Sequence, residues 1–138
     1  MTALHQLTIK QIREGLISRE FSAMEVTEHF LRRINSLNPD LNCFIKIDED
    51  GAIEAAKKAD DKIKKEKNSP LLGVPIAHKD IFCTKGIKTT CGSKMLSNFM
   101  PPFDATVVTR MKKSGAIMLG KTNMDEFAMG SSNETSFF

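Results

Sequence analysis

The chain has 138 residues, of which 41% are hydrophobic and 27% are charged, as in ordinary soluble globular proteins. This length fits one domain, and the composition excludes a disordered tail or a fibrous protein. A net charge of +3 is too small to argue for nucleic acid binding by itself. We find no apolar signal segment and no run near the ~18 apolar residues of a membrane helix. We therefore expect a cytoplasmic protein that makes no membrane contact.

Three cysteines, Cys43, Cys83 and Cys91, are an odd number and show no Cys-x-x-Cys spacing. A disulfide framework is not expected, which agrees with a reducing cytoplasm. His78 lies close in sequence to two of the cysteines, but the spacing fits no zinc pattern and no fourth ligand follows. We expect no metal site.

Two capping boxes predict two helices near the start of the chain. Thr8 pairs with Gln11 in the first box, and Ser22 pairs with Glu25 in the second. The second helix carries an apolar stripe at steps of three and four residues, made of Ala23, Val26, Phe30, Ile34 and Leu37. The Asn-Pro-Asp sequence at 38–40 is predicted to end it.

A short strand over 41–47 and a third helix over 49–67 are predicted next. The apolar face of that helix is thin and made of small residues, Ala52, Ala56, Ala59 and Ile63. Its end carries a basic run at 62–67, which indicates a solvated face that complements the helix dipole. An RNA contact is the alternative interpretation of this run.

The apolar run at 71–77 predicts a buried strand, in which Pro75 indicates an edge position or a bulge. A helix capped by Asp104 and stopped by Gly115 follows, and then a second buried strand at 116–119 that ends at Gly120 and Lys121. Strand, helix and strand in this order predict a right-handed crossover. The fold class is therefore α/β.

Lys79 is the candidate for chemistry because it directly follows the buried strand, where active sites of α/β sheets tend to lie. Alternation along the strand places His78 and Asp80 on the face opposite Lys79. A lysine with the ordinary pKa near 10.4 is neutral only about 0.04% of the time at pH 7. A lysine base therefore needs burial or a nearby positive charge to lower that pKa, at a cost of roughly 4 kcal/mol, and the preceding apolar run is one source of such burial. From spacing alone, a strand-end lysine that extends into solvent is the more common structure.

Four motifs carry a resemblance to a known family. They are GVPIAHKD (73–80), TTCGS (89–93), PFDATVV (102–108) and GKTNMDEFAMGSSNETS (120–136). Together they resemble the lysine region of the amidase signature family. The last motif resembles the branch whose members are the A subunits of tRNA-dependent amidotransferases. The resemblance implies the N-terminal part of an α/β/α amidase fold, a mixed sheet flanked by helices and preceded by short helices.

The family works through a serine–serine–lysine triad, and its lysine matches Lys79. In that mechanism the lysine takes a proton from a bridging serine, which activates the serine that attacks the amide of glutamine. Met129, Gly130 and Ser131 match positions that border the substrate pocket in the family. A polar turn is the alternative interpretation of this stretch. His78 lies where other members vary, and we interpret it as a packing residue.

The glycine- and serine-rich loop that carries both catalytic serines has no match within residues 1–138. We therefore interpret 1–138 as the N-terminal part of one amidase domain, truncated before that loop and inactive alone. The resemblance implies B and C subunits as partners, glutamine as substrate, and tRNA contact mainly through a partner. It implies no cofactor on this chain, while ATP and Mg²⁺ are used by one of the partners. The alternatives are a stand-alone amidase for small amides and a non-catalytic remnant or interaction fragment.

Overall fold

The computed structural model describes residues 3–65 and 69–138, in which four α-helices accompany one three-stranded sheet. The helices are α1 (Ile9–Ser18), α2 (Ala23–Leu41), α3 (Glu49–Lys64) and α4 (Thr106–Lys113). The strands are β1 (Phe44–Ile47), β2 (Pro75–Lys79) and β3 (Ile117–Thr122), and short 3₁₀ turns cover Leu4–Gln6, Lys94–Leu96 and Glu126–Ala128. No helix in this described part is long and apolar enough to cross a membrane.

Both predicted capping boxes are present. The Thr8 side chain accepts a hydrogen bond from the backbone N–H of Gln11, and the Gln11 side chain accepts from the N–H of Thr8. Ser22 and Glu25 make the same reciprocal pair at the start of α2. These local hydrogen bonds satisfy N–H groups that have no partner inside the helix, which explains why the helix starts were readable from the sequence.

The end of α2 differs from the prediction. The helix continues through Pro39 to Leu41 and ends at Asn42, which has a left-handed backbone with φ of 49°. The Asn38 side chain bonds both the N–H and the carbonyl of Phe44, so it fixes the chain reversal beyond the proline. The helix therefore takes over the first residues assigned to the strand, and β1 begins only at Phe44.

The sheet has the order β1–β3–β2, with β3 in the centre. Strand β2 is parallel to β3 and β1 is antiparallel to it. The predicted α/β class, a mixed sheet flanked by helices, is confirmed. Pro75 is the first residue of the edge strand β2, where its missing N–H breaks no ladder bond, and the pairing of β2 with β3 shifts register between Ile76 and Ala77.

The bounds of β2 and β3 also differ from those predicted, and β2 extends past residue 77 to Lys79. Strand β2 begins at Pro75 rather than at 71, because the preceding residues form turns that pack into the helical core. Strand β3 runs on to Thr122, through Gly120 and Lys121, which had been expected to end it. Burying a charged residue within a strand is costly unless the charge is paired and hydrogen-bonded. Here the ammonium of Lys121 finds buried partners, so the strand continues.

Helix α3 contacts both α2 and β3, and its small-residue stripe, Ala52, Ala56 and Ala59, is buried as expected. Its last described helical residue is Lys64, and the predicted end at Lys67 lies outside the described residues. The lysines of the basic run that are described, Lys62, Lys64 and Lys65, are exposed.

The prediction that Asp104 caps α4 is wrong. The N-cap is Ala105, without a side-chain hydrogen bond. The Asp104 carboxylate instead accepts from the backbone N–H of Lys85 at 2.8 Å and from the ammonium of Lys112 at 2.7 Å. Gly115, with φ of 82°, follows the helix as predicted and allows the turn into β3.

Candidate active site

Lys79 is the last residue of β2, and its register partner on β3 is Thr122, the last residue of that parallel strand. The carboxyl ends of both strands therefore meet at one edge of the sheet, where ligands usually bind in α/β proteins. Residues 123–138 leave β3 from the same edge. The structure thus brings Lys79 and the chain segment that contains residues 129–131 to a common edge.

The alternation predicted for this strand is present. His78 and Asp80 are buried, and Lys79 between them is exposed. The expectation that the preceding apolar run buries Lys79 is wrong for the described residues. Leu72 and Val74 precede the strand and belong to the core formed with α1 to α3, so they do not cover the lysine.

A second lysine at this edge is buried. Lys121 and Asp80 are both 0% exposed, and the Lys121 ammonium lies 3.1 Å from the Asp80 carboxylate. Burial lowers the pKa of Lys121, and the charge of Asp80 opposes this change. The pair lies on the face opposite Lys79. Sequence reasoning missed it, although both residues follow apolar runs at the ends of two predicted strands that one crossover helix connects.

Two buried threonines complete the surroundings of the ion pair. The N–H and the hydroxyl of Thr90 donate to Asp80 Oδ2 at 2.8 and 2.5 Å. Lys121 Nζ donates to the carbonyl of Phe82 at 2.9 Å and to the hydroxyl of Thr89 at 2.7 Å. Both charges are therefore hydrogen-bonded, as buried charges must be if the fold is to tolerate them.

The loop after β2 is bonded to the segment after β3 through its backbone. The N–H of Phe127 donates to the carbonyl of Cys91 at 2.9 Å, and the N–H of Phe137 donates to that of Gly92 at 2.8 Å. Gly92 has φ of 68°, and a Cβ built there would lie 2.6 Å from the carbonyl oxygen of Met124. Glycine is required here because both its backbone angle and the close approach exclude a side chain.

Met129, Gly130 and Ser131 lie on an exposed turn. The buried carboxylate of Asp125 anchors the turn. It accepts hydrogen bonds from the N–H of Ser132 at 2.8 Å and from the hydroxyl of Thr135 at 3.0 Å. Burial would raise the pKa of Asp125, but these bonds outweigh it and the pKa is lowered. Asp125 was not singled out from the sequence. The sequence indicates this role of Asp125 only weakly, through a carboxylate that comes shortly after a strand and is followed by small polar residues.

His78 faces away from Lys79 and is only 7% exposed. It borders a cavity of about 160 Å³ between α3, α4 and the sheet. Burial is the main reason that the pKa of His78 is lowered, and Lys121 and Lys112 add to the effect. This position agrees with a packing role. All three cysteines are free, and in residues 3–65 and 69–138 no three His, Cys, Asp or Glu side chains are grouped closely enough to hold a metal ion.

The chain is similar in sequence to bacterial proteins named as the A subunit of glutamyl-tRNA(Gln) amidotransferase. It is 55% identical to that of Psychrobacter sp. (strain PRwf-1) over 138 residues, which are 100% of this chain and 28% of the relative. It is 57% identical to that of Coxiella burnetii (strain Dugway 5J108-111) over 135 residues, 98% of this chain and 28% of the relative. The chain thus spans little more than a quarter of the length of these relatives.

The fold is similar to that of solved amidases. The native peptide amidase from Stenotrophomonas maltophilia superposes with a TM-score of 0.85 at 29% sequence identity, covering 92% of this chain and 27% of that one. A family model described as Amidase matches residues 25–138, well over half of the chain. By this match the chain belongs to the amidase family.

Proposed function

We propose that this chain supplies the lysine of a glutamine amidohydrolase site, which provides ammonia to a tRNA-dependent amidotransferase. The observation that carries the proposal is the position of Lys79. It ends a strand at the sheet edge from which the segment containing residues 129–131 also departs, in a chain of the amidase family. The names of the relatives support glutamyl-tRNA(Gln) as the acceptor that is amidated.

In the proposed mechanism Lys79 accepts a proton from a bridging serine, and that serine activates the nucleophilic serine. The nucleophile attacks the side-chain amide of glutamine, an acyl-enzyme forms and ammonia leaves. Neither serine has a matching motif in residues 1–138. Ser131 and Ser132 lie on the exposed turn and are not proposed as replacements. The serines therefore come from the rest of an amidase domain, and these 138 residues alone are inactive.

The exposure of Lys79 in these residues fits this division of the site. A lysine base needs desolvation, which lowers a lysine pKa by disfavouring the charged form. The described residues leave the Lys79 side chain in solvent. The proposal therefore requires the remaining part of the domain to cover this strand end while it places the serines beside the lysine.

The partners in the proposal are the B and C subunits. Ammonia passes to one of these partners, where ATP and Mg²⁺ activate the glutamyl or aspartyl group on mischarged tRNA, and tRNA contacts are made mainly by that partner. This chain contributes no cofactor ligand. Support for an assembly comes from the relatives, which are named as the A subunit of an amidotransferase.

A chimera tests the proposal. Residues 1–138 replace the matching segment of the A subunit from Coxiella burnetii, and the chimera is purified with the B and C subunits of that organism. We expect glutamine-dependent ammonia release, and a loss in kcat of about 10²–10⁴-fold for Lys79→Ala, the usual contribution of a general base. Lys88→Ala, an exposed lysine of the same region, is the matched control and should have no effect.

Two results would contradict the proposal. One is a Lys79→Ala chimera as active as the unsubstituted one. The other is an inactive chimera beside an active parent complex, which would show that this segment does not serve the site. In that second case, retention of the 138-residue chain by the B and C subunits in a pull-down would favour an interaction fragment.

A stand-alone amidase for small amides is the second candidate, favoured by the similarity of the fold to the peptide amidase. It predicts that the chimera hydrolyses small amides faster than glutamine and does not need the B and C subunits. Preference for glutamine and dependence on both subunits would exclude it.

A further inference from the structure

The buried ion pair between Lys121 and Asp80 has no role in the proposed chemistry. Both side chains are 0% exposed, so neither can touch a substrate at the sheet edge. Burying two charges costs several kcal/mol per ion, and pairing them often does no better than an apolar replacement. Stability alone is therefore a poor explanation for a buried pair directly behind the proposed base.

Asp80 is bonded through its backbone and its side chain. Its N–H donates to the carbonyl of Thr122 at 3.1 Å, and its carbonyl accepts from the N–H of Cys91 at 3.1 Å. Its carboxylate accepts two bonds from Thr90 and the ion pair from Lys121. Because Asp80 directly follows Lys79, these contacts fix the backbone from which the Lys79 side chain extends.

Lys121 contacts the loop after β2 at two further points. Its ammonium bonds the carbonyl of Phe82, near the start of the loop after β2, and the hydroxyl of Thr89, nearer its end. The loop is thus folded around one buried charge. With the ammonium removed, two of its anchoring hydrogen bonds would disappear together.

The anchored loop in turn holds the segment that contains the exposed turn. Cys91 and Gly92 accept the N–H groups of Phe127 and Phe137, which lie on either side of residues 129–131. The hydroxyl of Ser93 also donates to the carboxylate of Glu126 at 2.5 Å. Continuous contacts therefore run from the ion pair to Lys79 on one side and to the turn on the other.

We propose that Lys121 and Asp80 are a positioning pair that sets Lys79 and the turn at 129–131 in fixed relation to each other. The pair acts through the loop and touches no substrate. The catalytic part of this inference rests on the proposed function, because it takes Lys79 as the base. The structural part, that the pair orders the segment after β3, stands without it.

Hydrogen exchange on the 138-residue chain tests the structural part. The variant is Asp80→Asn with Lys121→Met, which removes both charges together and leaves no unpaired ion. We expect the amides of Phe127 and Phe137 to exchange about tenfold faster or more, as in a local opening, while the amide of Leu31 in α2 is unchanged. Lys88→Met, the same substitution at an exposed lysine beside Thr89, should change none of them.

Two outcomes would overturn the structural part. Equal acceleration of all three amides would make the pair a general stabiliser, and unchanged exchange would leave it without a role in ordering the segment. If circular dichroism shows that the double variant is unfolded, Thr90→Val takes its place. That substitution keeps both charges and removes the hydroxyl that connects Asp80 to the loop, and the same two amides decide the result.

Kinetics of the chimera test the catalytic part, at a temperature where circular dichroism shows it folded. We expect the double variant to lower kcat about 100-fold, the cost of a misplacement near 1 Å. Added to Lys79→Ala, it should lower kcat by far less than 100-fold, because the part of its effect that passes through that lysine is already lost. Multiplying effects would overturn the positioning of Lys79. A fully active Lys79→Ala chimera would instead contradict the proposed function, and the hydrogen-exchange result would still stand.

Discussion

Two regions of this chain, the helical residues 3–65 and the strand ends with the loops that follow them, are held together by different kinds of contact. Residues 3–65 are joined mainly through apolar side chains of α1, α2 and α3, and within this region Thr27 is the one fully buried polar side chain among the described residues. At the strand ends and in the loops that follow them, the buried side chains are mostly polar or charged: Asp80, Thr84, Thr89, Thr90, Ser93, Lys121 and Asp125.

The difference determines how closely each region fixes the positions of its atoms. Apolar contacts are non-directional and tolerate changes of similar volume, so they stabilise a fold without fixing individual atoms closely. Hydrogen bonds and ion pairs depend on distance and angle, and a buried polar group without its partner is costly. A polar interior at the strand ends is therefore suited to holding Lys79 and the turn at 129–131 in one geometry. It also tolerates fewer side-chain substitutions than an apolar core does.

The largest expected effect is the loss of one buried charge. Lys121→Met leaves the Asp80 carboxylate buried and unpaired, which should lower the free energy of unfolding by about 3–5 kcal/mol. Urea unfolding of the chain measures this. Adding Asp80→Asn to Lys121→Met should restore much of the loss, and a double variant as unstable as the single one would contradict the explanation.

Two glycines allow the energetic cost of a left-handed backbone to be measured separately from the cost of a steric clash. Gly92 and Gly86 both have positive φ, 68° and 72°, but only at Gly92 would a Cβ meet a neighbour, the carbonyl of Met124. Gly86→Ala should cost about 1–2 kcal/mol for the left-handed backbone alone. Gly92→Ala should cost about 2–4 kcal/mol because the clash is added. Equal thermal shifts for the two variants would show that the loop after β2 relaxes freely.

In the helical region a smaller effect is expected from a cap. Ser22→Ala removes the side-chain acceptor for the N–H of Glu25, and the loss of such a cap typically costs about 1 kcal/mol. Ser36→Ala, on the exposed side of the same helix, is the control and should change stability by less than about 0.5 kcal/mol. A Ser22→Ala change no larger than the control would mean that α2 is held by its apolar face alone.

The smallest effect is a dependence on pH. Burial lowers the pKa of His78, helped by the nearby Lys121 and Lys112 and opposed by Asp104. The unfolded chain then binds the proton more readily, so the free energy of unfolding falls as the pH drops from 7 through the ordinary histidine pKa near 6.5. His78→Leu should flatten this slope between pH 7 and 5.5. An identical slope in the variant would assign the pH dependence to other groups.

The sequence by itself determined the features that depend on residues close together. The capping boxes at Thr8 and Ser22, the buried alanine face of α3 and the α/β class were all predicted, because their signals repeat every two to four residues. That the sheet is mixed was implied by the family resemblance. The identification of Lys79 came from resemblance together with its place after an apolar run, and its catalytic role stays a prediction.

Only the tertiary structure decided which lysine is buried. Spacing alone favoured an exposed Lys79, the family resemblance favoured a buried one, and a strand was predicted to end at Lys121. The folded chain exposes Lys79 and buries Lys121. The burial of a charged side chain depends on partners distant in sequence, here Asp80 and Thr89, which reach Lys121 only when β2 and β3 lie side by side. Periodicity shows which face an apolar residue takes, but it cannot show where a charge finds its partner.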